Sequence, residues 1–460
     1  MHCDILVAEI GSTTTLVNAF DGLNSRPRFI GQGQAVTTVL DGDVCIGLRA
    51  AIEDLTGRLY AKTLKYDRLL ATSSAAGGLK MCVHGLVFDM TVRAAEAAAL
   101  GAGAVIRQTT AGKLHDEDVA ELRVIEPNLI LLAGGTDFGE RETSLYNARI
   151  LATKGTGAPV LYAGNRQNCA AMERIFSDAG TPLYITENVY PKLDELNIEP
   201  ARRLIHEAFE RHITDAPGMT QIREMVNGAI LPTPGAIMEA AMMLYSDLGD
   251  LIVFDIGGAT TDVHSVTNGS EKIAQLLIAP EPFNKRTVEG DLGLYINATH
   301  LVDKIGVTAL SKELAIDVPE VLSNYQPIPQ NTKQLLLTQR LCVECGRVAL
   351  TRHVGRLRHL FMPDGRKTYA EGKDCSMVRS IIGTGGALTR LSERESILRK
   401  ITDMKKDSQM LWPECGQCTL YFDNDYIMAS LGVLSREYPD DARMLMKRSL
   451  GCDIPVLSQT

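Results

Sequence analysis

The sequence predicts an α/β fold, because two kinds of segment alternate along it. Short β-branched runs, which favour strands, are followed by alanine-rich stretches whose apolar residues recur with helical spacing. The length of 460 residues is enough for about three domains of ordinary size. Predicted strands cover residues 5–10, 129–133, 160–163, 183–185 and 251–254, and predicted helices cover residues 91–100, 167–178 and a segment beginning at Pro200. A turn at residues 247–250 indicates a domain boundary.

The composition disfavours nucleic acid and membrane as partners. Lys and Arg number 47 against 56 Asp and Glu, for a net charge of −9, and aromatic residues make up only 5% of the chain. Nucleic-acid-binding proteins instead carry basic, aromatic-rich surfaces. No run of 18 apolar residues predicts a membrane-spanning helix. The first residues lack the basic flank of a signal peptide, so we expect a cytoplasmic protein whose ten cysteines are reduced thiols.

Three glycine-rich turns, each following an apolar strand, are the most informative motifs. They span residues 9–15, 255–262 and 381–387. The first two share one design: an acidic residue near the strand end, an apolar residue, a glycine, and then a run of hydroxyl side chains. The sequence contains no Walker A, dinucleotide-binding, HExxH or GxSxG motif that would indicate another chemistry.

This design suits a phosphate chain with a divalent cation. Glycine lets the backbone turn tightly, and successive N–H groups and hydroxyls can then surround phosphate oxygens. The acids Glu9 and Asp255 are the predicted Mg²⁺ ligands, acting through water because this ion keeps part of its hydration shell. The third turn, made of small residues, suits a flat adenosine. The predicted nucleotide-binding residues are Gly11, Ser12, Thr13, Thr14, Gly257, Gly258, Thr260, Thr261, Gly383, Gly385 and Gly386.

The order and spacing of the three turns resemble the phosphate-1, phosphate-2 and adenosine motifs of the actin, sugar-kinase and heat-shock-70 ATPase superfamily. Gly11 and Gly257 are 246 residues apart, and Gly383 follows 126 residues later. Residues 232–237 and 426–433 are similar to the two helices that connect the lobes in that superfamily. Their small residues predict a close helix crossing. The resemblance implies a two-lobed actin-like (ribonuclease-H-like) fold with ATP or ADP and Mg²⁺ between the lobes.

A second resemblance covers nearly the whole chain. Residues 73–81, 131–137 and 285–293 are similar to stretches in the accessory proteins of adenosylcobalamin-dependent glutamate (methylaspartate) mutase. This implies an ATP-binding, slowly ATP-hydrolysing reactivating chaperone whose partner is such a mutase, with a homodimer as one option for its assembly. The superfamily usually has Asp at the position of Glu9, which places Mg²⁺ binding more on Asp255 and predicts slow hydrolysis.

Two other functions stay open. The second turn also resembles the ATP site of hydantoinase and oxoprolinase subunits, and the superfamily includes small-molecule kinases, so an ATP-dependent metabolic enzyme is one alternative. An ATP-driven activator that passes electrons to a radical enzyme is the other, and it would need an iron–sulfur cluster.

These resemblances predict the domain organisation. We expect a first lobe at residues 1–248 that carries phosphate-1 and an inserted α/β region at about 64–230. A second lobe at 249–428 carries phosphate-2 and the adenosine motif. The C-terminal helices at 429–460 are expected to pack back on the first lobe.

Other candidate residues have both a functional and a structural interpretation. Lys285 and Arg286 are expected to meet phosphate or the adenine edge, or else to form a solvated basic hairpin edge. Asp137 is a catalytic or partner-sensing acid, or else a turn or helix cap. Thr261 and Asp262 are candidates for orienting the attacking water.

Two further patterns are weaker. The pairs Cys342/Cys345 and Cys415/Cys418 are interpreted as buried free thiols, with a metal or iron–sulfur site as the alternative, because 69 residues separate the pairs. The basic stretch 340–359 is expected to be a solvated helix face, or else a surface that docks an acidic partner or reaches the nucleotide.

Overall fold

The structure is a computed structural model. It describes residues 1–452 except 12–13, 39–41, 75–78, 103, 216–218, 220, 363–364, 404–408 and 414–415. The described residues form three five-stranded sheets and one two-stranded hairpin. The predicted α/β class is confirmed.

The first sheet contains the first glycine-rich turn. Its order is β10-β4-β1-β2-β3, in which β1 to β3 form an antiparallel meander and β4 and β10 run parallel to β1. These strands are β1 (His2–Ile10), β2 (Thr14–Asp21), β3 (Arg28–Val36), β4 (Lys65–Ser73) and β10 (Ile230–Pro232).

The second sheet repeats this arrangement. Its order is β13-β12-β11-β16-β17, again with an antiparallel meander of three strands followed by two strands parallel to the first. These strands are β11 (Leu251–Ile256), β12 (Thr261–Val266), β13 (Asn284–Glu289), β16 (Ser380–Thr384) and β17 (Thr419–Phe422). The duplicated strand order is that of the two-lobed actin-like fold, which the structure therefore shows.

A third sheet lies in the chain between β4 and β10, which pair directly with each other. All of its strands are parallel, in the order β6-β5-β7-β8-β9, typical of a doubly wound α/β unit. They are β5 (Lys80–Gly85), β6 (Val105–Ala111), β7 (Leu129–Leu132), β8 (Val160–Tyr162) and β9 (Leu183–Ile185). A separate hairpin consists of β14 (Arg356–Met362) and β15 (Gly365–Glu371).

The helices cover the sheets and join the units. They are α1 (Val44–Arg58), α2 (Arg93–Gly101), α3 (Asp116–Ile125), α4 (Glu142–Lys154), α5 (Cys169–Asp178), α6 (Glu199–Asp215), α7 (Ile222–Met225), α8 (Thr233–Leu248), α9 (Glu271–Ala274), α10 (Ala298–Ile305), α11 (Val307–Leu314), α12 (Val318–Ser323), α13 (Thr332–His353), α14 (Gly385–Arg390), α15 (Arg394–Thr402), α16 (Met428–Leu434) and α17 (Pro439–Ser449). Among the described residues no helix is both long and apolar enough to span a membrane.

Two predicted helices begin differently from the expectation. A π-helical turn, Phe88–Val92, precedes α2, and the Thr91 hydroxyl accepts hydrogen bonds from the backbone of Leu86 and Val87 there. A 3₁₀ turn, Arg166–Asn168, precedes α5. Hydrogen bonds from the backbone to side chains determine where α2 and α5 begin, and the spacing of apolar residues carries no information about such bonds.

Helices α8 and α16 cross closely at the centre of the molecule. A Cβ atom at Gly432 would lie 1.8 Å from the carbonyl oxygen of Ala236, so only glycine fits there. The close crossing predicted from small residues is confirmed. Helix α16 also contacts β1 and β4, and in α17 Arg448 donates to the Pro27 carbonyl oxygen at 2.8 Å.

Candidate functional site

The first two glycine-rich turns are closed by the same backbone hydrogen bond. The Gly11 N–H donates to the Thr14 carbonyl oxygen at 2.9 Å, and the Gly257 N–H donates to the Thr260 carbonyl oxygen at 3.0 Å. A Cβ at Gly11 would lie 2.7 Å from the Thr14 oxygen, which explains the need for glycine. The two turns therefore occupy equivalent positions in equivalent sheets. The predicted residues Ser12 and Thr13 lie outside the described residues.

The third turn packs directly against the second. Gly385 has a φ of +82°, and a Cβ there would lie 2.4 Å from the Oδ1 of Asp255. Strand β16 pairs with β11 so that Thr384 lies opposite Asp255. A Cβ at Gly386 would have no atom within 4 Å, whereas one at Gly383 would meet Phe422 and Leu388 at 3.2 Å. The structure thus brings the second and third predicted motifs together.

The segment after β13 fixes the second turn. The carbonyl oxygen of Gly258 accepts the backbone N–H groups of Tyr295 and Ile296, each at 2.9 Å. A Cβ at Gly293 would lie 2.4 Å from Ala259, so this backbone approach also requires glycine.

Glu9 is buried and held by helix α16. Its Oε1 accepts the hydroxyl of Ser430 at 2.6 Å, the backbone N–H of Ser430 at 3.1 Å and the amide of Asn18 at 3.2 Å. Burial raises the pKa of Glu9 to about 7, against the opposing effect of the Ser430 hydrogen bond. Asp423 adds to the increase through charge repulsion.

Asp255 shares this electrostatic environment. Burial raises its pKa to about 7, and the negative charges of Asp262, Glu9 and Asp423 add to the increase, while Arg286 opposes it. No hydrogen-bond donor to the Asp255 carboxylate occurs among the described residues. A carboxylate whose pKa is raised by burial and by acidic neighbours, and which accepts no hydrogen bond among the described residues, fits a cation ligand.

Asp423 is a third acid of this site, and sequence reasoning missed it; its side chain is fully buried. It accepts hydrogen bonds from the Thr384 hydroxyl at 3.0 Å, the Ser449 hydroxyl at 2.7 Å and the backbone of Ile427 and Met428. The signal was present, because an acid directly follows the strand β17 just as Glu9 and Asp255 stand near the ends of theirs. Ser430 and Asn18 carried no such signal, since their role depends on packing between distant segments.

The acids of this site do not converge on one point. Among the described residues, the group of three potential metal ligands lying within 4.8 Å of one another is His2, Asp4 and Asp67, at the opposite end of β1. An ion shared by Glu9 and Asp255 would thus be held partly through water, as Mg²⁺ commonly is.

Two proposed catalytic residues have structural partners. Asp262, opposite Asp255 in the β-ladder, forms a buried ion pair with Arg286 at 2.9 Å. The hydroxyl of Thr261 donates to the Leu292 carbonyl oxygen at 2.7 Å. Both side chains therefore hold β12 to its neighbours, although Asp262 also contributes to the charge felt by Asp255.

Lys285 and Arg286 do not form the solvated hairpin edge that was one expectation. Arg286 is buried, and besides Asp262 it donates to the Leu100 carbonyl oxygen at 3.2 Å. Lys285 pairs with Glu281 at 2.9 Å. Both residues belong to the edge strand β13, and helix α2 packs against this strand.

Asp137 lies in the third sheet. Its carboxylate accepts the backbone N–H of Arg166 at 3.0 Å and the amide of Asn188 at 3.2 Å. These bonds join the loops that follow β7, β8 and β9. The structure therefore does not bring Asp137 together with Glu9 and Asp255.

The cysteine pairs and the basic stretch take mainly structural positions. Cys342 and Cys345 are buried on α13, and burial raises the pKa of Cys345 to about 12. Cys418 is half-buried, and Cys415 lies outside the described residues. In the basic stretch, Arg340 and Arg352 form ion pairs with acids of other segments and His353 is buried, whereas Arg358 is exposed.

Comparison with known sequences gives a family match over most of the chain. The family model described as MutL protein matches residues 5–450. A protein named Protein MutL from Clostridium tetanomorphum is 37% identical over 460 residues, covering 97% of this chain and 98% of the relative.

Solved structures are similar at low identity. A nucleotide-free acetone carboxylase is 12% identical with a TM-score of 0.41, covering 94% of this chain and 70% of that chain. A nucleotide-free diol dehydratase-reactivating factor is 10% identical with a TM-score of 0.38, covering 95% and 100%. Because these scores are low, the fold assignment rests on the duplicated strand order.

Proposed function

The chain belongs to the MutL protein family, and from this premise we propose that it is an ATP-binding accessory protein of an adenosylcobalamin-dependent mutase, glutamate (methylaspartate) mutase being the first candidate. The observation that carries the proposal is the pair of equivalent turns at Gly11 and Gly257, each beside an acid of raised pKa. Such a pair can hold the two ends of one phosphate chain.

In this proposal the nucleotide lies between a first lobe (1–248, with its insertion at about 64–230) and a second lobe (249–428). The C-terminal segment 429–460 returns to the first lobe. Backbone N–H groups and hydroxyls of the turns at residues 11–14 and 257–261 would bind the phosphates, and the open position beside Gly386 would take the adenosine.

Mg²⁺ would be held from Asp255 and, through water, from Glu9. The ion would supply positive charge that neutralises both the acids and the phosphate chain. Asp255 has a free carboxylate for it, whereas Glu9 already accepts three hydrogen bonds. We therefore assign Asp255 the larger share of the binding.

The proposed mechanism is a conformational switch. Both turns grip the γ-phosphate and draw the lobes together, and hydrolysis releases the grip. The α8–α16 crossing would be the pivot of this motion, because the backbones of Gly432 and Ala236 are in contact there and leave little room for the two helices to shift. Coupled to a bound mutase, the opening would let a damaged cofactor leave and an intact one enter. A slow ATPase suits this role.

Titration calorimetry of ATP and ADP with Mg²⁺ tests the nucleotide site. The intact chain should bind at micromolar concentration, and Asp255→Asn should bind at least tenfold more weakly. Asp118→Asn makes the same change at a half-buried Asp of helix α3 and should bind as the intact chain does. Absence of binding to the intact chain would overturn the ATP-dependent mechanism.

A reactivation assay then tests the partner. Inactivated glutamate mutase with added adenosylcobalamin should recover activity only when this protein and ATP are present. ATP turnover that requires a small substrate and no mutase would instead indicate a metabolic enzyme or kinase.

A further inference from the structure

Two basic groups that stand apart in the sequence line one cavity. Lys285 and Arg286 come from β13, and the segment from Arg352 to Arg358 joins the end of α13 to β14. Helix α2, which belongs to the chain between β4 and β10, forms the opposite wall. The cavity has a volume of about 380 Å³, within the range of small-molecule sites, and lies between two units of the fold.

This cavity is separate from the proposed nucleotide site. None of the residues that line it belongs to the three glycine-rich turns, and neither Glu9 nor Asp255 is among them. An occupant of this cavity would therefore not occupy the nucleotide site.

The lining has more cationic than acidic side chains. Its six cations are Arg93, Lys285, Arg286, Arg352, Arg356 and Arg358, and its four acids are Asp89, Glu96, Glu281 and Glu371. Three of those acids already face a cation of the lining: Glu281 lies 2.9 Å from Lys285, Asp89 3.5 Å from Arg93, and Glu371 3.0 Å from Arg93. Arg352 pairs with Glu289 and Asp291 outside the lining.

Arg286 has an unused donor. Its side chain is only 2% exposed, and its terminal nitrogens bond Asp262 and the Leu100 carbonyl oxygen. The Nε–H has no acceptor among the described residues. A buried donor left without an acceptor is costly, and an oxygen atom of a ligand that reached it would remove that cost.

Apolar side chains complete the lining. Met90, Ala94, Ala97 and Leu100 of the π-turn and α2 face it, with Leu196 beside them. We infer that this cavity binds a small organic acid, in which a carboxylate or phosphate group meets the arginines and a short apolar part lies against α2. The inference goes beyond the proposed function and does not rest on it.

The ligand would also bridge two units. Arg93 of α2 already donates to Glu371 of β15 at 3.0 Å across this junction. An acid bound between α2 and the β13 edge would add contacts to both sides and tighten their association.

Titrations of the full chain with succinate and with inorganic phosphate, followed by calorimetry, test the inference. We expect millimolar or tighter binding of at least one probe. Succinate alone indicates a carboxylate ligand, and phosphate alone indicates a phosphate ester. Binding of neither probe at 20 mM (roughly the upper limit for a weak site) would overturn the inference.

Two variants locate the binding. Ala97→Trp fills the cavity, and Arg358→Ala removes a cation whose side chain is 52% exposed and therefore dispensable for folding. Each should weaken probe binding about tenfold. Arg399→Ala, at a 53% exposed arginine that is also paired with a glutamate, is the matched control and should have no effect. Equal binding by the intact chain and Arg358→Ala, or loss of phosphate binding only in Asp255→Asn, would place the site elsewhere and contradict the inference.

Discussion

At the scale of single residues, the proposed site is defined by carboxylates that are costly to ionise. Glu9 and Asp255 have pKa values raised to about 7, whereas in the unfolded chain they would be near 4. Between these values the folded state binds protons that the unfolded state has released. These two groups therefore reduce the stability of the nucleotide-free protein as the pH rises from about 4 to 7. Mg²⁺ binding has the opposite trend, because it needs the ionised carboxylates.

Asp255→Asn separates these two effects. Above pH 7 the variant no longer buries a charge near Glu9 and Asp423, so we expect its melting temperature without nucleotide to rise by about 2 °C. Its Mg²⁺-ATP affinity should fall and should lose most of its dependence on pH between 6 and 8. Calorimetry and thermal melting at several pH values measure both, with Asp118→Asn as the control for nucleotide affinity. A lower melting temperature of the variant at pH 8 would contradict the interpretation that ionised Asp255 destabilises the nucleotide-free protein.

Ser430→Ala tests how Glu9 is held. The hydroxyl of Ser430 donates at 2.6 Å to Glu9 and lowers its pKa, so its removal should raise that pKa further. We expect Mg²⁺-ATP affinity to fall several-fold at pH 7 and to recover at pH 8.5. Ser435→Ala is the control: this residue follows the same helix, and among the described residues its hydroxyl donates to the Gly432 carbonyl oxygen alone. This variant should bind as the intact chain does. Titrations that show the same loss at both pH values would indicate a packing defect instead.

At the scale of secondary-structure elements, the sequence predicted those features that depend on residues close together in the chain. The strand–acid–glycine sequences at Glu9 and Asp255 predicted two turns, and these have matching hydrogen bonds. Asp423 followed the same rule and was overlooked. The partners of Arg286 could not be predicted, because β13 pairs with β12 while α2 reaches this edge from nearly two hundred residues earlier in the chain. A basic dipeptide carries no information about such an approach.

The α8–α16 crossing allows a direct test at this scale. Gly432→Ala would place a methyl group 1.8 Å from the Ala236 carbonyl oxygen, and a backbone cannot yield as a flexible side chain does. We expect a loss of about 1–3 kcal/mol in the free energy of unfolding.

Gly57→Ala is the matched control for that substitution. It lies in helix α1 with no atom within 4 Å of an added Cβ, so alanine should leave stability equal or raise it by up to about 1 kcal/mol. Urea denaturation of both variants measures the difference. Similar stabilities would show that the crossing is looser than the geometry indicates.

At the scale of the whole molecule, the two repeated sheets are joined by polar contacts as well as by the helix crossing. Arg390, which ends the helix after the third glycine-rich turn, donates to Gln32 at 2.8 Å and to Gln34 at 2.9 Å on β3. Gln32 in turn donates to the Tyr426 carbonyl oxygen at 3.2 Å. These are hydrogen bonds to neutral amides near the surface, which contribute modestly and can break and reform. They suit a junction that opens.

Arg390→Ala should therefore shift the balance of lobe positions without unfolding the chain. We expect the nucleotide-free variant to have a larger radius of gyration by small-angle X-ray scattering than the intact protein, since it lacks both bonds to β3. A non-hydrolysable ATP analogue with Mg²⁺ should restore the compact value, because the phosphate grip at Gly11 and Gly257 would replace the lost contacts. Arg399→Ala, on the neighbouring helix α15, removes an arginine that pairs with Glu395 and should behave as the intact chain does. If the radius of Arg390→Ala stays unchanged with and without the analogue, the lobes do not move about this junction, and the switch mechanism loses its structural basis.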